Sequence, residues 1–260
     1  METSERIALG MVDAERKRRA KVEGAEVVEI DGLVLCFANL PDPSINSIVV
    51  AHEPDDAAHS LALAADEFER RGQTLGIDLQ VGRHPSLDRA VRALGMTLII
   101  EQPGMVVALT DLAATATPDG MRIEPVTDDE GASALVQVDS EAFGGDPAIT
   151  TAFHGAGAYG VDGMRAFVAW AGQDPVGIAA GYEHGGAVGV MGVGVVPRAR
   201  RQGLGAAITA HAARSFDGTD LAWLHPTPQA RAVYERIGFR TIADYEVWVA
   251  PSTIGRPSNA

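Results

Sequence analysis

A short segment rich in arginine and glycine is the part of this sequence best suited to hold a ligand. It covers residues 200–206, reads RRQGLGA, and follows an apolar strand. Gly203 and Gly205 let the backbone approach an anion without a Cβ in the way. The helix predicted over 203–216 adds unpaired N–H groups and the positive end of its dipole. The segment therefore predicts a cradle for an anion such as a pyrophosphate.

Two alternatives to this anion cradle remain open. A dinucleotide-binding loop would carry three glycines as G-x-G-x-x-G, of which only Gly203 and Gly205 are present, and a Walker loop would need a Gly-Lys-Ser/Thr sequence that is absent. A plain strand-to-helix turn needs no ligand at all. A nucleotide-binding domain of another kind therefore remains one of the hypotheses.

A second candidate group lies about thirty residues downstream, in the segment VYERIGF at 233–239. A helix is predicted over 228–237, with Thr227 as its N-cap and Gly238 as the residue after its end. Tyr234 lies at the edge of the packing face of this helix. The sequence alone leaves two alternatives for Tyr234, a packing role or a chemical one.

In order and spacing, VVPRARRQGLG at 195–205 and VYERIGF at 233–239 resemble the GNAT superfamily of acyl-CoA-dependent N-acetyltransferases. The resemblance covers roughly residues 120–250. It implies an α/β (α+β) fold, with a mixed, mostly antiparallel sheet flanked by helices. It also implies an enzyme that moves an acyl group, expected to be acetyl, from a CoA thioester to an amine by direct attack. Acetyl-CoA or another acyl-CoA would be the co-substrate, and no metal is expected.

The resemblance also assigns roles to individual positions. The pantetheine arm of CoA is expected to pair with the end of a central strand, and the pyrophosphate to lie on the glycine loop. Tyr234 matches the family tyrosine that can protonate the leaving thiolate. Thr227 stands where members often have a cofactor-contacting Asn, so it is either a cofactor contact or the helix cap. The expected cofactor-binding residues are Val193, Gly194, Val195, Arg200, Arg201, Gln202, Gly203, Leu204, Gly205, Ala206 and Thr227.

The general base is not identified by the resemblance. Members often place Glu on one of the two central strands, but the segments 187–196 and 221–224 contain no acidic residue. Glu141 and His225 are the leading candidates, and the unperturbed pKa of histidine near 6.5 suits the role. The amine could also arrive neutral, or a water chain could carry the proton. Asp139, Glu183 and His184 are further candidates. The missing acids also favour a second hypothesis, a non-catalytic acyl-CoA-binding regulator or partner module.

Two stretches of the chain repeat the same order of elements. His-Pro at 84–85 and at 225–226 is followed by a short helix, a glycine and more strand sequence. The strand sequence is predicted as a paired strand segment over 97–109 in the first copy, and as a strand or hairpin over 240–249 in the second. Such an order could arise by chance, but the combined order favours a tandem duplication.

The first copy lacks the residues for the same chemistry. The segment that matches the glycine loop, 52–60, has no glycine and carries Glu53, Asp55 and Asp56, which would repel a pyrophosphate. Val91 stands opposite Tyr234. The chain is therefore predicted to form two tandem GNAT-like domains: an N-terminal helix at 1–24, a degenerate domain at 25–112, a linker at 113–120, a catalytic domain at 121–250 and a flexible tail at 251–260.

Composition limits the partners and the location. The 260 residues carry 21 basic and 35 acidic side chains, a formal net charge of −14, which argues against nucleic acid or an anionic membrane as a partner. The apolar run at 187–196 is too short to cross a bilayer. The single cysteine, Cys36, excludes an internal disulfide and fits a cytoplasmic location. The oligomeric state stays open, a homodimer included.

Two charged segments could have either a functional or a purely structural role. The basic run at 16–21 is either a patch for an anion or a partner, or a solvated helix end. Glu141, Asp146 and Asp162 either line the mouth of a site for a cationic amine or face solvent on a loop. In both cases the sequence favours the structural role.

Overall fold

The computed structural model describes residues 2–40, 45–144, 146–155 and 159–251, apart from the side chains of residues 153 and 154. The predicted tail at 251–260 therefore lies outside the described residues except for Pro251. The helices are α1 (Thr3–Arg19), α2 (Ala57–Arg70), α3 (Pro85–Ala93), α4 (Asp129–Phe143), α5 (Pro147–Thr150), α6 (Leu204–Ala213) and α7 (Arg231–Arg236), with a π-helical segment at Thr151–Gly155 and a 3₁₀ turn at Pro197–Ala199. The strands are β1 (Glu26–Ile30), β2 (Leu33–Phe37), β3 (Ser47–Val50), β4 (Gly76–Gln80), β5 (Thr97–Ala108), β6 (Met121–Pro125), β7 (Met164–Ala171), β8 (Asp174–His184), β9 (Ala187–Val195), β10 (Leu221–Leu224) and β11 (Arg240–Val249).

One sheet of eleven strands runs through both halves of the described chain, in the order β1-β2-β3-β4-β11-β5-β10-β9-β8-β7-β6. Neighbouring strands are antiparallel except for β3 with β4 and β9 with β10, which are parallel. These two parallel pairs occupy equivalent positions in the two predicted repeats. The prediction of a mixed, mostly antiparallel sheet flanked by helices is thus confirmed.

The two halves exchange strands at the centre of the sheet. β5, from the first half, lies between β10 and β11, and β11, from the second half, lies between β4 and β5. Each half therefore completes its part of the sheet with a strand from the other. The division of the chain at 113–120 stays a prediction about sequence units, and the sheet runs across it.

The segment predicted as a paired strand at 97–109 is a single strand, β5, of twelve residues. Its interior Pro-Gly sequence is not a turn, since the strand continues through it. Gly104 instead makes room for the ring of Tyr245 in β11. A Cβ on Gly104 would come within 2.5 Å of that ring. The glycine thus permits a close approach of a neighbouring strand's side chain, which is one of the few uses of glycine inside a strand. The segment at 240–249 is likewise one strand, β11, rather than a hairpin.

Helices cover both faces of the second half of the sheet. A Cβ on Gly177 of β8 would lie 3.0 Å from Leu204 of α6, so this side chain position faces α6. The next residue, Ile178, faces the other side, since successive side chains of a strand alternate. On that other face lie α4 and α1, and the Tyr182 hydroxyl hydrogen-bonds Asp13 of α1 there. None of the helices in the described part of the chain combines the length and apolar character needed to cross a bilayer.

The interpretation of the basic run at 16–21 as a solvated helix end is wrong for part of it. Arg19 is only 2% exposed and donates to the carbonyl of Ile45 at 2.5 Å. The Arg18 side chain is 13% exposed. The reason is tertiary: α1 packs across the sheet between its two halves, which places one side of the basic run in the interior. A single sequence window carries no signal of that docking.

Candidate active site

The central strands β9 and β10 separate part-way along their length. They pair in parallel only as far as Gly189 and Trp223. β9 then runs on to Val195 with β8 as its partner. The register between β8 and β9 shifts around Gly192, whose φ of +61° marks a bulge. The result is an open wedge in which one edge of β9 is not paired with β10.

The three residues expected to meet the pantetheine arm lie along this wedge. Val193 and Val195 are half-buried, and Gly194 is buried. A Cβ on Gly194 would lie 3.0 Å from the ring of Phe143 and 3.2 Å from Ala142, both at the end of α4. Gly194 therefore also has a structural purpose, because it lets α4 pack against β9.

The segment after β9 forms a loop that leads into the N-terminus of α6. Arg201 has a φ of +63° and Gly203 a φ of +88°. Gly203 is the N-cap residue of α6, and no side chain caps this end of the helix. A Cβ on Gly203 would meet nothing within 4 Å, and one on Gly205 would meet only Val195 at 3.9 Å. The first turn of α6 thus presents its backbone N–H groups to open space.

The two adjacent arginines of the loop have different environments. Arg200 donates from Nε to the carbonyl of Val195 at 2.9 Å and from a terminal nitrogen to the carbonyl of Ala142 at 3.2 Å. It therefore ties the loop to the C-terminal end of α4. The Arg201 side chain is exposed. Arg201 is thus the more available cation of the two, and Arg200 mainly holds the loop in shape.

The other loop residues contribute chiefly through their backbone. Gln202 is exposed and donates to the carbonyl of Arg198 at 3.5 Å. Leu204 is 1% exposed, so its side chain anchors α6 in the core. Ala206 is half-buried in the first turn of α6. From these three residues, a ligand at the end of the helix would therefore receive backbone N–H groups and no charged side chain.

The equivalent helix of the first half differs at the same point. α2 is capped by Asp56, whose carboxylate accepts from the N–H of His59 at 3.1 Å. The N-terminus of α3 is bound by Glu53, which accepts from the N–H of Ser86 at 2.7 Å. Both helix ends are thus occupied by carboxylates of the chain itself, and an anionic ligand would be repelled there.

Tyr234, on α7, packs into the core against α6. It is buried, and its hydroxyl is hydrogen-bonded to Thr209. Thr209 in turn donates to the carbonyl of Gly205 at 2.7 Å. Burial raises the pKa of Tyr234, so the phenol stays protonated at neutral pH. Sequence reasoning did not single out Thr209, although its place one turn after Gly205 on the same helix is a usable signal.

Comparison with protein families supports a specific assignment. Residues 162–241 match the family model described as an acetyltransferase (GNAT) domain. This range includes the wedge, the glycine loop and Tyr234. The match places a GNAT acetyltransferase domain at 162–241.

Solved structures extend the likeness beyond the GNAT domain. A GCN5-related N-acetyltransferase from Kribbella flavida is similar over 97% of this chain and 97% of its own, with a TM-score of 0.78 and 25% identity. A tandem GNAT protein from the clavulanic acid biosynthesis pathway has a TM-score of 0.60 and 18% identity over 85% of this chain and 79% of its own. A GCN5-related N-acetyltransferase from Sphaerobacter thermophilus has a TM-score of 0.57 and 16% identity over 84% and 80%. No curated protein matches the chain.

Thr227 is not the cap of the following helix in the GNAT domain. α7 begins only at Arg231, and its N-cap residue is Ala230. The N–H of Ala230 bonds to the carbonyl of Thr227 at 3.0 Å, which closes a turn with Pro228 at its second position, where proline is favoured. The predicted start of the helix was therefore too early. The exposed Thr227 side chain has no capping role, so a cofactor contact is the remaining expectation for it.

His225 stacks on an aromatic side chain rather than facing an open site. Its ring centroid lies 4.0 Å from that of Tyr245 and 5.6 Å from that of Trp223. The residue is partly exposed, but its Nε2 is buried and has no hydrogen-bond partner among the described residues. Burial lowers the pKa of His225 to about 4. An imidazole of that pKa is a weak base, so this geometry does not favour His225 as the general base.

Replacing His225 with phenylalanine is expected to alter the pH dependence of stability. The unfolded chain protonates this histidine near pH 6.5 and the folded protein only near 4, so its contribution to stability falls as the pH falls through that window. The difference in unfolding free energy between the parent and His225→Phe should shift by about 2 kcal/mol against the parent between pH 7 and pH 5. Urea denaturation of both proteins gives this difference. The parent alone is not enough, because burial raises the pKa of Asp78 to about 7, which increases stability as the pH falls and so opposes the effect of His225.

The exposed His59 provides the control for this experiment, as His59→Phe. An unchanged difference between parent and His225→Phe across the pH range would mean that His225 is not desolvated in solution.

The three acidic residues considered for an acceptor mouth each have a structural partner. Glu141 forms an ion pair with Arg198. Asp146 caps α5, and Asp162 lies 3.1 Å from Nζ of Lys17. These carboxylates therefore stabilise local structure. Glu141, the other leading candidate for the base, is exposed at the surface in this arrangement.

The remaining candidate bases after β8 are also engaged. Glu183 accepts from the N–H of Gly186 at 3.0 Å, which closes the turn between β8 and β9. Nδ1 of His184 lies 3.0 Å from the carboxylate of Asp13 in α1. Both side chains therefore hold the turn and α1 in place.

A small cavity lies beside the β9 bulge, on the face of the sheet covered by α1 and α4. Its volume is about 80 Å³, and Met191, Gly192 and Asp139 contribute to its wall. Asp139 is 8% exposed, and burial raises its pKa, against a hydrogen bond with Thr150. Asp139 is thus the candidate carboxylate that faces the bulge. No group of three or more His, Cys, Asp or Glu side chains among the described residues is arranged to hold a metal ion.

Proposed function

We propose that this protein is an acyl-CoA-dependent N-acyltransferase, with acetyl-CoA as donor and an amine as acceptor. The observation that carries the proposal is the uncapped N-terminus of α6 next to the wedge between β9 and β10. Free N–H groups at a helix end with a left-handed glycine bind phosphate oxygens through the backbone. The first half has Asp56 in the same place, so the proposed activity belongs to the second half.

The donor would lie along the wedge and across the loop. The free edge of β9 at 193–195 would pair with the amide groups of the pantetheine arm. The pyrophosphate would rest on the N–H groups of residues 201–206, with the exposed Arg201 adding positive charge. Thr227 would contact the cofactor from the turn before α7. Arg200 supports this arrangement through its bonds to the backbone.

The proposed reaction is direct attack of the amine on the thioester carbonyl. A C–N bond forms, the C–S bond breaks, and Tyr234 gives its proton to the departing thiolate of CoA. The buried, protonated phenol supports this role. A covalent route through cysteine has no support, because Cys36 is buried in β2 and burial raises the pKa of its thiol.

We propose Asp139 as the group that takes the proton from the amine. Asp139 lines the cavity at the bulge, and a raised pKa brings its carboxyl closer to the working pH of a general base. Glu141 is exposed and paired with Arg198, and His225 is stacked on Tyr245. Replacing Asp139 with Asn is expected to lower kcat/KM for the amine by about 100-fold. Under this assignment Glu141→Gln has the smaller effect, and the reverse order would make Glu141 the base.

A non-catalytic acyl-CoA-binding regulator is the second candidate function. It is favoured by the absence of acidic residues on β9 and β10, where a base is often placed in the family. Calorimetric titration with acetyl-CoA, followed by a panel of amines with detection of free CoA, separates the two. Binding with turnover of at least one amine supports the enzyme. Binding without turnover of any amine supports the regulator, and no binding of acetyl-CoA contradicts both.

The single cysteine, Cys36, supports a cytoplasmic location, and the net charge bears on the partners. With a net charge of −14, we propose a cytoplasmic protein whose partners are acyl-CoA and a small amine rather than nucleic acid or a membrane.

A further inference from the structure

The cavity beside the β9 bulge has a cation in its wall as well as Asp139. Arg18, near the end of α1, lines the same cavity. Burial lowers the pKa of Arg18 to about 10, so the guanidinium is charged at neutral pH. The two side chains are close enough to attract each other electrostatically. Arg18 also lies 3.8 Å from the carboxylate of Glu15 on the same helix. A positive and a negative side chain therefore line one small cavity.

The rest of this cavity is mostly apolar, and its size limits what it can hold. The volume of about 80 Å³ compares with about 30 Å³ for one water molecule in the liquid, so it admits the head of a small ligand rather than a sugar ring or a folded protein. The other side chains that line it belong to Leu135, Met164, Ala166, Ile178, Ala179, Ala180 and Met191. The wall between the two charged groups therefore favours an apolar part of a ligand.

The two charged side chains come from different helices, and the end of one of these helices packs at the wedge. Asp139 comes from α4, whose end packs on Gly194 at the wedge. Arg18 comes from α1, a helix that precedes the first repeat. An amine placed at Asp139 would lie beside the bulge at Gly192, and an anionic group attached to it would face Arg18. A guanidinium binds a carboxylate through two parallel hydrogen bonds.

We propose that the acyl acceptor is a small α-amino acid, whose amine faces Asp139 and whose carboxylate is bound by Arg18. This inference rests on the proposed N-acyltransferase function and names its substrate class. It replaces the cationic amine expected from Glu141, Asp146 and Asp162, because none of these three residues lines the cavity. It also assigns a role to α1, since this helix carries Arg18, the residue that would bind the carboxylate.

The test compares amino acids with their amides, which keep the amine and lose the negative charge. Glycine, L-alanine and L-leucine, each beside its amide, are titrated calorimetrically into the full-length protein with and without CoA, and are then assayed for acetyl transfer. Each acid is expected to bind at least about tenfold more tightly than its amide. Equal affinity of acid and amide, or no binding of the acids, overturns the inference.

Variants at Arg18 assign the preference to that residue. Arg18→Gln is expected to lower the affinity for the acids at least about tenfold and to leave the amides within about twofold, which a purely structural role would not do. Arg18→Lys keeps the charge without the paired geometry, so an intermediate loss is expected, and it covers the case in which Arg18→Gln does not fold. The matched control is Arg16→Gln, since Arg16 is on the same helix and pairs with Glu29. An acid preference that survives both Arg18 variants overturns the inference.

The inference and the proposed function can fail separately. Turnover of amides as efficient as that of the acids would remove the amino-acid class and leave the acyltransferase. Binding of the amino acids without binding of acetyl-CoA would remove the acyltransferase and leave the site at Arg18 and Asp139.

Discussion

Replacing Gly203 with aspartate is expected to weaken acetyl-CoA binding by at least about 100-fold and to suppress turnover. The new carboxylate would stand at the N-cap of α6, where it accepts from the same N–H groups that a pyrophosphate needs. Two unit charges about 4 Å apart repel each other by about 4 kcal/mol at an effective dielectric constant of about 20. Because about 1.4 kcal/mol corresponds to tenfold in affinity, this repulsion exceeds the stated loss.

Backbone strain must be separated from this effect, since Gly203 has a φ of +88°. A residue with a Cβ in that region loses about 1 kcal/mol of stability. Gly72→Asp is the matched control, because Gly72 has a φ of +64° and a Cβ placed there, as on Gly203, would meet no atom within 4 Å. Gly72→Asp should unfold at the lower denaturant concentration of the two, because its carboxylate lies just after the C-terminus of α2. Only Gly203→Asp should lose the calorimetric signal of acetyl-CoA. Equal binding by both variants would contradict the proposed pyrophosphate site.

Replacing Tyr234 with phenylalanine is expected to lower kcat by about 100-fold, within the range of a general acid, while KM for acetyl-CoA changes by less than about threefold. The hydroxyl would act only when the thiolate leaves, so its loss affects the chemical step rather than donor binding. The hydrogen bond to Thr209 is lost as well, at a stability cost of about 1 kcal/mol. Steady-state kinetics and thermal unfolding measured on the same preparation separate the two effects.

Tyr245→Phe is the control for this variant. Tyr245 is also buried, and its hydroxyl lies 3.3 Å from Gln80 in β4, so the substitution removes a comparable polar contact. It should cost similar stability and leave kcat within about twofold. Similar kcat values for the two variants would show that Tyr234 is a packing residue, which is the structural alternative that its sequence pattern allows.

Local signals account for the parts of the candidate site that could be predicted from the sequence. The glycines at 203 and 238 were expected where a helix begins or ends, and both have positive φ values in the structure. A helix was expected over 203–216, and α6 covers Leu204–Ala213. Turn, cap and periodicity effects act within a few residues, so a single sequence contains them.

Long-range packing accounts for the parts that could not be predicted. His225 is desolvated by Tyr245, which belongs to a strand that begins fifteen residues later and lies beside a strand of the other half. Arg19 is buried and Arg18 is largely shielded from solvent because α1 docks on the sheet, although their own neighbours in sequence are charged. The composition of a segment does not reveal which face another element will cover.

The exchange of β5 and β11 bears on how the protein is made. The strand β4 has β3 on one side, but it acquires its neighbour on the other side only when residues 240–249 have been synthesised, because that neighbour is β11. An unpaired strand edge is a template for association with other chains. The growing polypeptide therefore exposes such an edge until β11 has been synthesised, and β11 then pairs with β4 and β5 together.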